Sequence, residues 1–420
     1  MKPRRHHVVL VTYGEPARAE FFTQLRYSWR ILLGLTRSVA SIPAVLLPII
    51  ALSRARMRVA LWRREDYESP LEPITEAQAR GLGTALARKA PDVEWQVHVA
   101  YEFRDPLLVD LLGRLPRDEA VDVIPMYVAE SAFTHEISRR TVEAWRLRGG
   151  RGRPAPVRVL PGLDEETFAD VAAGHVLGEI RRRGIGGDDW AMVIAAHGTL
   201  LEPPRPINTG RGATECVAAG VAERCSGRFG RIQLGWLNHV YGGEWTKPPA
   251  DAALRMVAEA GYRKVVYFPF GFSADNAESQ LEGRVALRTQ PRLEAVHLPC
   301  VNDSPEFLDA LADSVIRAGD PLARPHEGGN GRGTTGLPAG NDRVEVQRLS
   351  QLSPGERSII LRLEGEPASV RRLMELGLVP GTEVVLIRRA PLGDPLELRM
   401  RDIHLSLRRE EAAYVHVSGG

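Results

Sequence analysis

Two short stretches of this 420-residue chain carry side chains suited to moving protons or holding a metal ion. In one, the apolar run Met192–Ala196 leads into His197 and Gly198. In the other, the run Lys264–Pro269 leads into Phe270-Gly271-Phe272-Ser273-Ala274-Asp275-Asn276-Ala277-Glu278. A helical reading sets Asp275 and Glu278 three apart on one face, with Asp275 suited to cap the helix. Glu278 has no such structural task. An imidazole, with an ordinary pKa near 6.5, accepts a proton at neutral pH, and an imidazole with a carboxylate also binds a divalent metal weakly. A lone histidine at a strand end is more often a loop or core residue than a catalyst, and a metal hydrolase fits these two residues as well as a proton-transfer enzyme does. Tyr13 is a third polar ring, following Val8–Thr12 and preceding Gly14. The sequence contains no P-loop, no G-x-G-x-x-G after a strand, no H-E-x-x-H and no G-x-S-x-G.

The elements that must position these residues read as alternating strands and helices. Strands are expected at Val8–Val11, Trp95–Ala100, Val121–Pro125, Val157–Leu160, Met192–Ala196, Arg231–Trp236, Lys264–Pro269 and Ala295–Leu298. Helices are expected over 75–90, 105–115, 164–183, 251–260 and 305–317. This alternation predicts an α/β fold with parallel sheets and helical crossovers. The chain also echoes itself. Val8–Gly14 resembles Met192–Gly198, and Val121–Tyr127 resembles Val265–Gly271. Tyr13 to Pro125 is 112 residues and His197 to Pro269 is 72, so the first half carries an insertion of 40. Ligands of open α/β sheets bind beyond the carboxyl ends of the strands, which sets Tyr13 and His197 at one cleft between two related halves.

The insertion contains the run 31–52, which holds 22 residues with Arg37 as its one charge and Pro43 and Pro48 inside it. Residues 17–64 carry nine Arg and one acid, Glu20. An apolar stretch in a basic frame predicts a surface lip that covers the cleft and touches a membrane peripherally, rather than a span. Overall, Lys plus Arg is 55 against 53 acids, a formal charge of +2, which argues against a nucleic-acid partner. Three cysteines, Cys216, Cys225 and Cys300, form no C-x-x-C pair. They predict neither a disulfide framework nor an iron–sulfur cluster, and they fit a cytoplasmic location, with any peripheral contact at the inner face of the membrane. Val8–Val11 is too short for a secretory h-region. Residues 319–343 are rich in Gly, Pro and Asn and read as a flexible linker, with a reach of about 25–30 Å. Beyond it, 344–420 turns to short strands at Val344–Val346, Arg357–Leu363, Glu383–Arg389, Leu396–Met400 and Ala413–Val417, with a short helix and turn near 375–381. This reads as a small β-barrel.

Taken together and in order, several motifs resemble those of the ferrochelatases, which insert ferrous iron into a porphyrin. They are Leu10–Pro16, Ser69-Pro70-Leu71 with Ile74-Thr75, Ile194–Gly198, Leu234-Gly235-Trp236 leading to Trp245-Thr246-Lys247-Pro248, and Pro269–Glu278. The resemblance covers 7–318, so the domain is expected over 1–318 as two Rossmann-like halves with parallel sheets. It implies His197 as the catalytic histidine and Glu278 as its acidic partner across the macrocycle, both handling the metal. It implies Tyr13, Trp236 and Asn276 at the porphyrin cleft, with Tyr13 favouring coproporphyrin III over protoporphyrin IX. Ferrous iron enters as substrate. The chain departs from the family in carrying Asn276 where a companion histidine is common, and in the segment 128–135, where Glu130 or His135 stands in. Arg26, Arg30 and Arg104 are candidates to pair with propionates.

The tail resembles the FeoA-type, SH3-like domain of ferrous iron transport systems through Leu349–Gly355, Arg372–Gly381, Arg388–Pro395 and Leu405–Glu410. That implies no catalytic residue. His404 and His416 read as surface residues, and the domain reads as a docking module for an iron-delivery partner or for the chain itself. Two other readings compete with an active ferrochelatase. One is a non-catalytic tetrapyrrole- or iron-binding protein that retains the fold, and the other is a chelatase for cobalt or nickel.

Overall fold

Four consecutive aliphatic residues, Val8, Val9, Leu10 and Val11, are wholly buried at the centre of β1 (Arg4–Thr12). A strand apolar on both faces belongs inside a parallel sheet covered by helices. β1 pairs in parallel with β2 (Val93–Tyr101) and β3 (Ala120–Pro125), and β3 pairs with β4 (Val157–Val159), in the order β2-β1-β3-β4. The second sheet repeats the plan. β5 (Gly187–His197) lies between β6 (Phe229–Leu237) and β7 (Lys264–Phe268), and β8 (Glu294–His297) flanks β7, again all parallel and in the order β6-β5-β7-β8. The weak sequence echo therefore reflects two halves with one topology, each with its first strand inside the second and third.

The computed structural model describes residues 4–38, 46–116, 118–148, 157–203, 207–238, 244–319, 346–363, 373, 378, 383–390, 394–400 and 403–418. The chain divides into two compact units, Met1–Glu327 and Gly328–Gly420. In the first, α1 (Phe21–Ser38), α2 (Leu47–Arg64) and α3 (Leu71–Lys89) follow β1. Short α4 (Leu108–Leu112), α5 (His135–Arg148) and α6 (Glu165–Arg183) complete the first half. α7 (Arg211–Arg224), α8 (Ala250–Glu259), α9 (Gly283–Arg288) and α10 (Pro305–Gly319) serve the second. The ends of α6 follow from sequence. Asp164 accepts from Thr167 N at 2.8 Å, two acids occupy the first turn, three arginines the last, and Gly184 closes the helix at φ 65°.

One apolar core joins the halves. Leu10 and Ile124 from the first sheet and Met192 and Phe268 from the second share a cluster with Phe168 of α6 and Leu311 of α10. Where the strands end, the halves also touch through hydrogen bonds. Ser273 Oγ donates to Met126 O at 2.7 Å, and Gln78 Nε2 donates to Ser273 O at 3.0 Å.

The apolar run 31–52 is not one element. Its first part ends α1 and its last part begins α2, while 39–45 and Pro43 lie outside the described residues. Pro48 stands in the first turn of α2, where a missing N–H costs nothing, so it starts this helix rather than breaking it. Leu47, Ala51, Ala55, Val59 and Trp62 recur at helical spacing and are buried. Phe22, Ile49 and Met57 stand on the outside, 81%, 64% and 56% exposed. No helix among the described residues is long and apolar enough to cross a membrane. Helices α1, α2, α5, α7 and α9 were not among those expected from the sequence.

The second unit is an antiparallel sheet in the order β13-β12-β11-β10-β14-β9. Its strands are β9 (Val346–Arg348), β10 (Arg357–Leu363), β11 (Glu383–Arg389), β12 (Leu396–Met400), β13 (Ile403–Leu407) and β14 (Val415–Ser418). Leu349, Ile360, Leu386, Leu398, Val415 and Val417 form its core, and α11 (Arg409–Ala412) precedes β14. β13 was not expected as a strand. It completes a hairpin with β12, pairing Leu396 with Leu407. The expected linker from 320 onward and most of the expected turn at 375–381 lie outside the described residues.

Candidate active site

The site is assembled where β1, β5 and β7 end. After β1 the chain turns through Tyr13-Gly14-Glu15-Pro16. Gly14 has φ 70°, and a Cβ there would stand 2.8 Å from Tyr101 Cβ and 2.9 Å from Arg104 Cβ, so the turn requires glycine. The turn leaves Tyr13 half-buried and buries Glu15 to 2% exposure. Both oxygens of Glu15 are engaged. Oε1 accepts from Arg58 Nη2 at 2.8 Å, and Oε2 accepts from Ser69 Oγ at 2.6 Å and from Ala277 N at 3.0 Å. Arg58 also donates through Nε to Gln24 Oε1 at 2.9 Å and lies over the rings of Tyr27 and Trp62. Burial is the largest influence and works against its charge, but Glu15 together with the Tyr27 and Tyr13 phenols outweighs it and holds the guanidinium more firmly protonated than usual.

Ala277 begins a π-helical turn, Ala277–Glu282, that carries Glu278. Its cap is Asn276. Oδ1 accepts from Glu278 N at 2.8 Å and from Ser279 N at 3.1 Å, and Ser279 Oγ accepts from Asn276 N at 2.9 Å. One carbonyl oxygen with two lone pairs does this, whereas an imidazole nitrogen has one. Asn276 is 1% exposed, and its Nδ2 donates to Ala274 O. The expectation that it faces the cleft is therefore corrected, because its amide is committed to fixing the turn. Asp275, expected as the cap, instead points away and accepts from Cys300 N, Gln280 Nε2 and Asn302 Nδ2. Beneath the turn, a Cβ on Gly283 would stand 2.9 Å from His297 and 3.0 Å from Tyr267, and burial pushes the His297 imidazole down to about 4.

The last residue of β5 is His197, whose side chain is 45% exposed. Its Nδ1 lies 2.8 Å from Glu278 Oε2. Gly271 passes so close that a Cβ there would stand 2.7 Å from Ala196 Cα and 2.9 Å from His197 N. The Phe272 ring meets the imidazole edge-on at 6.3 Å. Glu278 is thus a contact partner of His197 and not an acid across the macrocycle, since 2.8 Å leaves no room for a ring between them. With Nδ1–H donated to the carboxylate, Nε2 is the basic nitrogen of the imidazole. Burial, then Glu15, Tyr27 and Glu278, holds the Tyr13 phenol well above its usual range, so it stays a neutral hydroxyl. Among the described residues no three His, Cys, Asp or Glu side chains converge as a metal cage.

Other expected participants are placed elsewhere. Trp236 is 2% exposed and belongs to the shared core, so it shapes the site through packing and does not line the cleft. Glu130 pairs with Arg139 at 2.6 Å, and His135 is buried with Nε2 2.9 Å from Pro161 O, so neither joins His197 and Glu278. Arg26 and Arg30 both pair with Asp105 at 3.2 Å, and Arg104 chelates Glu72 at 2.6 and 3.1 Å. The sequence reading missed the Glu15–Arg58 pair, although Glu15 lies inside a quoted motif. Only an unusual acid between Gly14 and Pro16 signalled it.

Removing one partner of a buried pair costs about 3–5 kcal/mol, because the other charge stays behind. Glu15→Ala is therefore expected to lower the melting temperature by several degrees and to loosen the turn that carries Glu278, since Ala277 N loses its acceptor. Thermal melts of the parent and variant check this, and an unchanged melting temperature would remove Glu15 from the centre of the site.

A ferrochelatase family model matches residues 5–318, and a FeoA domain model matches residues 347–419. A ferrochelatase from Chelativorans sp. is 28% identical over 326 residues, covering 74% of this chain and 90% of that protein. One from Xylella fastidiosa is 28% identical over 336 residues, covering 74% and 97%. A fusion of Fe(2+) transport protein A and transporter FeoB from Porphyromonas gingivalis is 41% identical over 70 residues, 17% of this chain and 8% of that protein. The solved FeoA protein from Chlorobium tepidum is 43% identical across 17% of this chain and 69% of that one, with a TM-score of 0.17. With most of its length matched by one family and an imidazole–carboxylate pair at its strand ends, the chain belongs to the ferrochelatase family, enzymes that insert ferrous iron into porphyrin, and it carries a FeoA domain at its C-terminal end.

Proposed function

We propose that this chain inserts ferrous iron into coproporphyrin III in preference to protoporphyrin IX, with His197 and Glu278 as its catalytic pair. The 2.8 Å bond between His197 Nδ1 and Glu278 Oε2 carries the reading. A free-base porphyrin has two pyrrole N–H protons, and both leave as iron(II) enters. His197 Nε2 takes the two protons in turn, Glu278 stabilises the imidazolium each time it forms, and each proton passes to solvent through the exposed side of the ring before the next is taken. Iron needs only a loose hold from the imidazole and carboxylate, because the four pyrrole nitrogens must win it. Tyr13 contributes a neutral hydroxyl to the opposite half. Preference for coproporphyrin rests on Tyr13 and on the cation supply. Arg54 stands one turn before Arg58, acts on the Tyr27 phenol and has no acidic partner among the described residues, which suits a propionate.

Anaerobic mixing with ferrous iron and each porphyrin, followed by absorbance, tests this reading. Coproporphyrin III should be metallated with the higher kcat/KM. His197→Ala should lose on the order of 10²–10⁴-fold in rate, and Glu278→Gln should lower turnover with porphyrin binding nearly intact. Metallation by the parent no faster than in protein-free buffer would sink the proposal.

The outer face of α1 and α2 is proposed to contact a membrane peripherally, at its inner, cytoplasmic face. Phe22, Trp29, Pro48 and Leu52 line a groove there, beside Arg26. Each Arg near an anionic surface contributes about 1 kcal/mol. Co-sedimentation should show more protein on anionic than on neutral vesicles. Equal partitioning, or none, rejects the contact.

The FeoA domain is proposed as a tethered docking module, for an iron-delivery partner or for a second copy of the chain, joined by 319–343. Ending the chain at 343 should leave turnover on free ferrous iron near normal, because every site residue named above precedes 319. Loss of folding or of that turnover would make the domain part of the catalytic unit.

A further inference from the structure

Glu102 is the first residue beyond β2, and the chain there runs beside the end of β1. Glu102 N donates to Thr12 O at 3.0 Å, and Phe103 N donates to Tyr13 O at 3.1 Å. Tyr127, just beyond β3, donates its hydroxyl to Glu102 Oε2 at 2.9 Å. Three adjacent strand ends thus bring Tyr13, Glu102 and Tyr127 to the same edge of the first sheet, all half-buried. Glu102 Oε1 is shielded from water and makes no hydrogen bond of ordinary geometry, and the buried Ser138 hydroxyl of α5 is likewise unsatisfied.

The charged groups nearby are engaged elsewhere. On α1, Arg30 donates to Phe103 O and pairs with Asp105. Arg104 chelates Glu72 of α3. Burial therefore dominates and pushes the Glu102 carboxyl up to about 8, with the Tyr127 and Ser138 hydroxyls opposing it. Burial and Glu102 in turn hold the Tyr127 phenol well above its usual range. The contrast with Glu15 is one of partners. Glu15 has a guanidinium at 2.8 Å, and Glu102 has only hydroxyls. At neutral pH Glu102 is a carboxylic acid, so this wall of the cleft carries no negative charge from it.

We propose that Glu102, held by the Tyr127 hydroxyl and without a cation beside it, is a specificity-determining residue of the cleft. It lets an anionic side chain of the tetrapyrrole lie against the first sheet, and its ionisation repels that side chain. This rests on the chelatase reading and adds to it a condition on substrate charge. The sign is fixed: below about pH 8 the acid is neutral and the anion binds, and above it a like charge faces the ligand.

The test measures equilibrium binding of metal-free coproporphyrin III to the full chain between pH 6.5 and 9.5, by porphyrin fluorescence. The parent should weaken roughly tenfold through a transition near pH 8. Glu102→Gln should bind tightly across the range with no transition. Tyr127→Phe, which removes a hydrogen bond favouring the ionised form, should move the transition upward. The tetramethyl ester, which has no carboxylate to repel, should show no transition with the parent. A parent profile flat in pH, or the same transition in Glu102→Gln, overturns the proposal, and Tyr127→Phe still tests it if Glu102→Gln does not fold. Because binding is read without iron, failure here is distinct from failure of metallation, which alone would reject the chelatase reading.

Discussion

The bond network around Glu15 is the constraint on which the rest of the site depends. A carboxylate 2% exposed needs its charge balanced and its lone pairs filled, and Arg58, Ser69 and Ala277 N do both. Those partners come from α2, from the turn before α3 and from the π-helical turn in the other half of the unit. One buried charge therefore ties the insertion to the first sheet and both to the segment that carries Glu278. The cation–π contacts of Arg58 with Tyr27 and Trp62 extend the tie to α1.

With that frame in place, the chemistry needs few residues. The second sheet contributes His197 at the end of β5 and, through the loop after β7, Glu278. Gly271 lets that loop pass beside His197, and Asn276 fixes the turn from which Glu278 projects. The site is open and sparse, which suits a metal that must be given up. The first sheet brings the Tyr13 and Tyr127 hydroxyls and the Glu102 carboxyl to its edge, and the second brings His197, the proposed base. That division follows from the repeated topology, because the same strand end carries Tyr13 in one half and His197 in the other.

Much of this was legible in the residues. The apolar runs marked all eight strands of the two parallel sheets to within a few positions, and the echo between the halves anticipated that the two are related. His197, Glu278 and Tyr13 stood out because each ends or follows such a run. The helices α1 and α2 were hidden inside an apolar stretch whose prolines suggested interruption, and Pro48 proved to be a helix start. The arginines among them also obscured the buried spacing of Ala51, Ala55, Val59 and Trp62.

What the sequence by itself determined was the set of local facts: which runs are buried on both faces, where they stop, and which polar residues stand at the stops. Only tertiary structure decided which of those residues meet. His197 and Glu278 are 81 apart in the chain, Glu15 and Ala277 are 262 apart, and Tyr127 and Glu102 are joined across two strands. It also decided that Asn276 caps a turn, that Trp236 lies in the core, and that Arg26, Arg30 and Arg104 face acids of the chain itself. The reason is physical. Burial on both faces is a property of a short segment and leaves its pattern there, whereas a hydrogen bond or ion pair between distant residues depends on how sheets and helices pack. Packing is set by the whole core at once.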